Sequence, residues 1–222
     1  MSLLFCLFFD RIKQIGRTAV TEGMFMKQHL KRSAIFCIIV EISYFISVTL
    51  FLVLKTDWAL TLWEAMTVFG AFAMSVTMSV FAEGYQIKAV FRRAMLISLS
   101  GTMILTSAAH ITSIGVTRKL AAQGMSVPDH FRIGFYPSYE MTIDYTAWGL
   151  FMGCAFLALF LGVGDKMIKR FSLCCGILCF AGFVGSFFYE SLWYPAPMGY
   201  GFGFLIMCIA VLIKNRGTGE KQ

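Results

Sequence analysis

Six long apolar stretches follow one another along the chain, separated by short polar segments. Each has close to the roughly 20 residues that a membrane-spanning helix needs. Because lipid offers no partner to backbone N–H and C=O groups, runs of this length satisfy those groups internally as helices. The pattern therefore predicts an all-α integral membrane protein whose domain 34–214 is a bundle of six transmembrane helices. The predicted spans are about 34–54, 58–82, 93–117, 142–164, 171–191 and 197–214.

The first 33 residues show a different pattern, with an apolar start that is too short to span a membrane. Apolar positions recur at helical spacing opposite basic ones, which is typical of a helix lying on an anionic membrane surface. We therefore predict an interfacial amphipathic helix over 1–33. Its apolar stripe is formed by Leu4, Phe5, Phe8, Phe9, Ile12 and Ile15.

The composition agrees with a membrane protein and with no soluble class. Hydrophobic residues make up 58% of the chain, charged residues only 14%, and the mean hydropathy is +0.74. The net charge of +7 comes from short basic clusters between apolar runs, which is the pattern of membrane loops rather than of a nucleic-acid surface. The lipid bilayer is the expected partner, and nucleic acid is not.

The distribution of Lys and Arg predicts the orientation. With the N-terminus inside, fifteen of the 19 basic residues fall on the inner side, and four fall outside: Lys55, Arg118, Lys119 and Arg132. The positive-inside bias thus predicts a cell-membrane protein with both termini in the cytoplasm, the 215–222 tail included. It places the 118–141 connection outside, where its aromatic residues favour a cap folded over the bundle.

Ionisable residues inside the predicted spans are candidates for function, because each costs free energy to place in lipid. At 1.5 Å per residue, Glu64 and His110 lie at about the same depth, roughly 10 Å below the outer surface. A carboxylate and an imidazole at one level can share a proton or hold a cation. Glu41 lies deeper on the first span and is predicted either to relay protons or to bond neighbouring helices.

Together these residues predict an outward-facing cavity that binds or transports a small polar or cationic solute, or an ion. Aromatic faces near the outer helix ends would add cation–π attraction. The predicted ligand-binding residues are Glu64, His110, Asp144, Glu190, Trp63, Tyr145, Trp148 and Tyr189.

Two other function classes stay open. The first is a non-catalytic subunit or sensor that acts through a membrane-protein partner, or as a homo-oligomer through the Gly149–Gly153 pair. The second is an intramembrane hydrolase or transferase with His110 as base. No metal-binding motif such as H-E-x-x-H occurs in the sequence, so no metal site is predicted, and no cofactor is indicated.

Overall fold

The computed structural model describes the backbone of residues 2–216 and the side chains of residues 25–215. This part of the chain contains no β-strand, and six of its helices are long and apolar enough to cross a membrane. The chain is therefore an all-α, multi-pass membrane bundle, as the hydropathy pattern predicts. We number the helices α1 (Ser2–Leu54), α2 (Asp57–Gly84), α3 (Ala89–Ala122), α4 (Tyr139–Gly162), α5 (Lys166–Ser186) and α6 (Glu190–Asn215).

The helix bounds differ from the predicted ones at several ends. The helix α1 runs without a break through residue 33 into the first predicted span, because neither Gly nor Pro interrupts residues 25–33. The helix α3 extends to Ala122, so the first five residues of the predicted cap are helical. The predicted lipid-facing stripe of residues 4–15, and the tail beyond 216, lie outside the residues whose side chains are described.

The six helices form a closed ring in which each contacts its neighbours in sequence. The ring closes where α1 packs against α6. Its centre is apolar: Phe204 of α6 meets Phe81 of α2 and Phe156 of α4, with ring centroids 6.2 and 5.8 Å away. Because lipid tails are as apolar as these side chains, close packing rather than water exclusion holds such a centre together.

The long connection between α3 and α4 defines one end of the bundle, called here the connection end. A short helical turn at Asp129–Phe131 lies within it. The connection packs back on the bundle, since the Tyr136 hydroxyl donates a hydrogen bond to the Ser186 carbonyl at the end of α5. The Ser138 hydroxyl then caps α4 by accepting from the Met141 N–H at 3.1 Å.

Three of the helices contain a π-helical turn. These turns lie at Ser113–Thr117 in α3, Thr146–Phe151 in α4 and Met198–Gly203 in α6. Such turns are rare in α-helices and are frequent at functional sites. The first two begin three residues after His110 and two residues after Asp144, so they lie beside these candidate residues.

The opposite end of the bundle is held by Asp165, which precedes α5. Its carboxylate accepts hydrogen bonds from the Met167 and Ile168 N–H groups at 3.0 and 3.1 Å, and it pairs with Lys214 of α6. Burial alone raises the pKa of Asp165, but hydrogen bonds from Lys214 and Ile168 outweigh that effect and hold the pKa below its ordinary value. Asp165 thus links α5 to α6.

Replacing Asp165 separates its two roles. Asp165→Ala loses both the cap and the ion pair, and we expect a loss of about 1–2 kcal/mol at pH 7. Asp165→Asn keeps an oxygen that can cap the helix, and we expect a loss of less than about 1 kcal/mol. Because the folded-state pKa is depressed, the charge contributes stability above the unfolded pKa of about 3.9 and loses it as the pH falls through the folded value.

Thermal unfolding followed by tryptophan fluorescence between pH 7 and pH 3 measures this effect. The difference in melting temperature between the native protein and Asp165→Asn should be constant above about pH 5 and should shrink below about pH 4. A difference that stays the same across this range would show that the Asp165 charge contributes no stability.

Candidate functional site

His110 lies between two carboxylates that come from the helices on either side of α3. Its Nδ1 atom is 3.9 Å from Glu64 Oε1 on α2, and its Nε2 atom is 3.3 Å from Asp144 Oδ1 on α4. Glu64 is fully buried and His110 is 2% exposed. The depth counted from the sequence placed Glu64 and His110 at one level, and the structure brings Asp144 to the same imidazole.

Arg118, near the end of α3, covers Glu64 from the connection end. Its Nη2 atom pairs with Glu64 Oε2, while Nη1 donates to the Thr61 hydroxyl at 2.8 Å and to the Asp57 carbonyl at 3.2 Å. Asp57, Thr61 and Glu64 share one face of α2 because they are four and three residues apart. One guanidinium thus holds three successive acceptors of α2.

Glu140, in the first turn of α4, adds a third carboxylate near the histidine. It is buried, and its Oε1 atom accepts a hydrogen bond from the Thr117 hydroxyl at 2.8 Å. We call Glu64, His110, Arg118, Glu140 and Asp144 the charged cluster. The cluster contains three carboxylates and one guanidinium, so with all four ionised it carries a net charge of −2 with a neutral imidazole and −1 with an imidazolium.

Several atoms of the charged cluster have no hydrogen-bond partner among the described residues, although they are buried. Buried polar atoms in proteins are nearly always paired, so a group of exceptions at one place is typical of a functional site. The unpaired atoms are Glu64 Oε1, Nδ1 of His110, Arg118 Nε and Glu140 Oε2, whereas His110 Nε2 and Asp144 Oδ1 lie 3.3 Å from each other without the alignment of a hydrogen bond.

A cleft of about 520 Å³ opens at the connection end, beside Arg118. It lies between the first turns of α2, the last turns of α3 and the connection. Its volume falls in the range of small-molecule sites. The cleft is lined by Asp57, Leu60, Thr61, Ser113, Ile114, Thr117, Arg118, Lys119, Ala121, Ala122, Arg132 and Ile133.

None of the eight residues predicted to bind a ligand lines this cleft. Glu64, His110 and Asp144 meet in the charged cluster, which contacts the cleft through Arg118 and Thr117. The aromatic residues pack elsewhere. Ring centroids of Trp63 and Phe51 are 5.2 Å apart, those of Tyr145 and Trp193 are 4.1 Å apart, and those of Trp148 and Tyr200 are 4.5 Å apart.

The last two predicted residues, Tyr189 and Glu190, lie at the junction of α5 and α6 and are exposed. No ion pair or hydrogen bond joins either side chain to the charged cluster within residues 25–215. Their exposed position separates them from the buried carboxylates.

Glu41 of α1 lies in the interior, beside a small cavity lined also by Tyr44, Thr67, Gly70, Trp148 and Tyr200. About 10 Å³ of this cavity is accessible to the centre of a water molecule, which is the space of a single water. The carboxyl group is buried and takes part in no hydrogen bond or ion pair with the described residues.

Two charged members of the cluster, Arg118 and Glu140, were not among the predicted site residues. Both fall in the stretch that the sequence assigns to the outer connection, because the apolar runs end at 117 and begin again at 142. A signal was present in the spacing. Arg118 follows His110 by eight residues, and Glu140 precedes Asp144 by four, so each pair shares a helix face.

The residues that the structure describes contain no group of three or more His, Cys, Asp or Glu side chains arranged to hold a metal ion. Comparisons with protein-family models, curated proteins and solved structures find no match to this chain. The geometry of the charged cluster and of the cleft is therefore the basis on which a function is inferred.

Proposed function

We propose that this membrane protein binds a small polar solute or ion through the cleft at the connection end, and that the charged cluster exchanges a proton as binding occurs. The arrangement around His110 carries this proposal: a buried imidazole between Glu64 and Asp144, with Arg118 joining it to the cleft. A histidine is the side chain that most readily gains or loses a proton near neutral pH.

The charge of the cluster supports the proton step. In a low-dielectric interior, a net charge of −1 or −2 favours the entry of a positive charge. A proton on the imidazole Nε2 lies beside Asp144 Oδ1, 3.3 Å away, and Glu64 Oε1 lies 3.9 Å from Nδ1. Arg118 stabilises the ionised carboxylate of Glu64, so a solute that contacts Arg118 changes how strongly the cluster attracts a proton. Solute binding in the cleft is thereby linked to protonation of the cluster.

The proposed orientation follows the positive-inside bias of the loops, with both termini in the cytoplasm and the connection end facing outward. The cleft then takes its solute from outside the cell membrane. The aromatic residues Tyr145 and Trp148 would support the cluster from α4, through their contacts with α6, rather than contact the solute.

Glu41 extends the proposal toward the cytoplasm. Counted along α1 and α2, its Cα lies roughly 10 Å further from the connection end than that of Glu64. Trp148, which lines the cavity beside Glu41, follows Asp144 by one helical turn. A single water in that cavity would give the Glu41 carboxyl a hydrogen-bonding partner, and we propose that it relays the proton between Asp144 and the inner side.

Native mass spectrometry of the protein released gently from its membrane tests the proposal. We expect a discrete small-molecule or ion adduct, and its loss in the Glu64→Gln/His110→Ala double variant. Glu83→Gln/His130→Ala is the matched control, since it changes an exposed carboxylate and an exposed imidazole away from the cluster. An adduct that persists in the first variant, or no adduct at all, would contradict the proposal and favour a subunit that acts through a protein partner.

A further inference from the structure

The cleft at the connection end has a basic lining, although the cluster beneath it is acidic. Arg118, Lys119 and Arg132 line it, against the single carboxylate of Asp57. Lys119 takes part in no ion pair with the described residues, and Arg132 pairs with Asp129, an exposed residue, at 3.3 Å. A solute entering the cleft therefore meets positive charge first, which favours an anion over a cation.

The uncharged residues that line the cleft indicate the shape and polarity of the rest of the solute. Leu60, Ile114 and Ile133 provide an apolar wall, and Thr61 and Ser113 provide hydroxyl groups. A volume of about 520 Å³ fits a small molecule with one anionic group and a compact apolar body. A guanidinium binds carboxylate and phosphate oxygens through paired N–H groups.

The contacts of Arg118 show how such an anion would enter. One nitrogen of its guanidinium pairs with Glu64, and a second donates hydrogen bonds to Thr61 and Asp57. Its Nε atom is buried and has no partner among the described residues. The side chain is 23% exposed, whereas Glu64 is fully buried. A solute can thus reach the guanidinium from the cleft without reaching the carboxylate.

We infer that the cleft binds a carboxylate or phosphate group, and that this anion takes the place of Glu64 on Arg118 while His110 takes up one proton. The inference rests on the proposed function and names its substrate class. Glu64, once released, is paired by the imidazolium, whose nitrogen is already 3.9 Å away. One monoanion, such as a carboxylate or a singly charged phosphate, and one proton enter together, so the net charge of the site is unchanged.

Four charged groups determine the proton affinity of His110. Glu64 faces it from α2, Asp144 and Glu140 lie on α4, and Arg118 lies further along α3 itself. The three carboxylates favour the imidazolium, and Arg118 opposes it. When an anion neutralises Arg118, the opposition falls. Anion binding and protonation therefore strengthen each other, and by linkage the effect is reciprocal.

Isothermal titration calorimetry of the full chain in phosphatidylcholine nanodiscs tests the inference with two probes of matched shape and opposite charge. Benzoate should bind at least about tenfold more tightly than benzylammonium. Its affinity should rise by up to about tenfold per unit as the pH falls from 10 to 8, because one proton is linked to binding. Titrations in buffers of different ionisation enthalpy should give an uptake of about one proton per benzoate.

Three variants test which residues are responsible for benzoate binding and for proton uptake. Glu64→Gln/Arg118→Gln, which removes both partners of the ion pair, should fold and should bind benzoate at least about tenfold more weakly. His110→Gln should retain binding but lose the proton uptake and the pH dependence. Lys88→Gln, an exposed cation away from the cleft, is the control and should match the native protein.

The possible results separate the inference from the proposed function. Tighter binding of benzylammonium, or no binding of either probe, would overturn the anion class, while the mass-spectrometric adduct still decides whether a solute is bound. Benzoate binding without proton uptake would overturn the exchange. Weaker benzoate binding in phosphatidylglycerol than in phosphatidylcholine nanodiscs, at about 0.5 M salt so that the charge of the bilayer surface is screened, would identify a lipid headgroup as a source of the same anionic chemistry.

Discussion

Replacing Arg118 by Gln is expected to destabilise the folded protein by about 3–5 kcal/mol, the largest effect of any single substitution in the charged cluster. Glu64 is fully buried, and Arg118 is the cation paired with it. The change leaves a carboxylate inside the membrane with its charge uncompensated, and His110 can offset this only by binding a proton. The free energy of unfolding, measured by denaturant titration in mixed micelles, reports the loss.

The opposite substitution should have a smaller effect. In Glu64→Gln the remaining charge is on Arg118, which still contacts Thr61 and the Asp57 carbonyl and is 23% exposed. We expect a loss of about 1.5–3 kcal/mol, the contribution of a hydrogen bond to a charged group. The double variant Glu64→Gln/Arg118→Gln should be more stable than Arg118→Gln alone. Equal losses in the two single variants, or additive losses in the double variant, would contradict this account.

Replacing Gly182 by Ala should also destabilise the bundle strongly, because α5 and α6 approach each other closely at this position. A Cβ atom there would lie 2.6 Å from the Ala196 nitrogen and 2.6 Å from the Trp193 carbonyl oxygen. Both are backbone atoms, so no side-chain rotation relieves the overlap, and the helices must separate. We expect a loss of about 1–3 kcal/mol or more, measured as a fall in melting temperature.

Gly70→Ala is the matched control, since Gly70 also lies inside a helix. An added Cβ has no atom within 4 Å, because Gly70 borders the small cavity beside Glu41. Ala favours the helix over Gly by up to about 1 kcal/mol, so this variant should be as stable as the native protein or more so. If both variants behave alike, close approach of α5 and α6 does not determine the stability at Gly182.

The membrane fold follows from the sequence because it depends on the length and composition of each apolar run. The proximity of Glu64 and His110 agrees with the shared level counted from the sequence, since a helix rises by a fixed distance per residue. Arg118 and Glu140 could not be assigned in this way. Hydropathy ends a span where polar residues begin, whereas α3 continues to Ala122 and α4 begins at Tyr139. Their polar side chains are stabilised by partners on other helices, which a single run does not reveal.

The basic residues of the cleft are a second case in which single apolar runs do not reveal a site. The sequence assigns Arg118, Lys119 and Arg132 to the outer connection, where they count only toward the orientation of the chain. Folding brings them around one space of about 520 Å³. The expectation of a cationic solute depended on carboxylates, and the structure places the buried ones behind Arg118. Which charge faces the solvent is a property of the tertiary arrangement.

The π-helical turn at Ser113–Thr117 affects whether related chains can keep the ion pair between Arg118 and Glu64. A π-helical turn corresponds to about one additional residue in an α-helix, and each residue rotates the helix by about 100°. The turn therefore sets the direction of Arg118 relative to His110 within one helix. A related chain with one residue fewer in 113–117 would place Arg118 seven residues after His110, on the same face of a regular α-helix, so the ion pair with Glu64 would no longer need the turn. In a chain of this length, straightening the turn into a regular α-helix would instead rotate Arg118 by about 80° relative to His110 and away from Glu64.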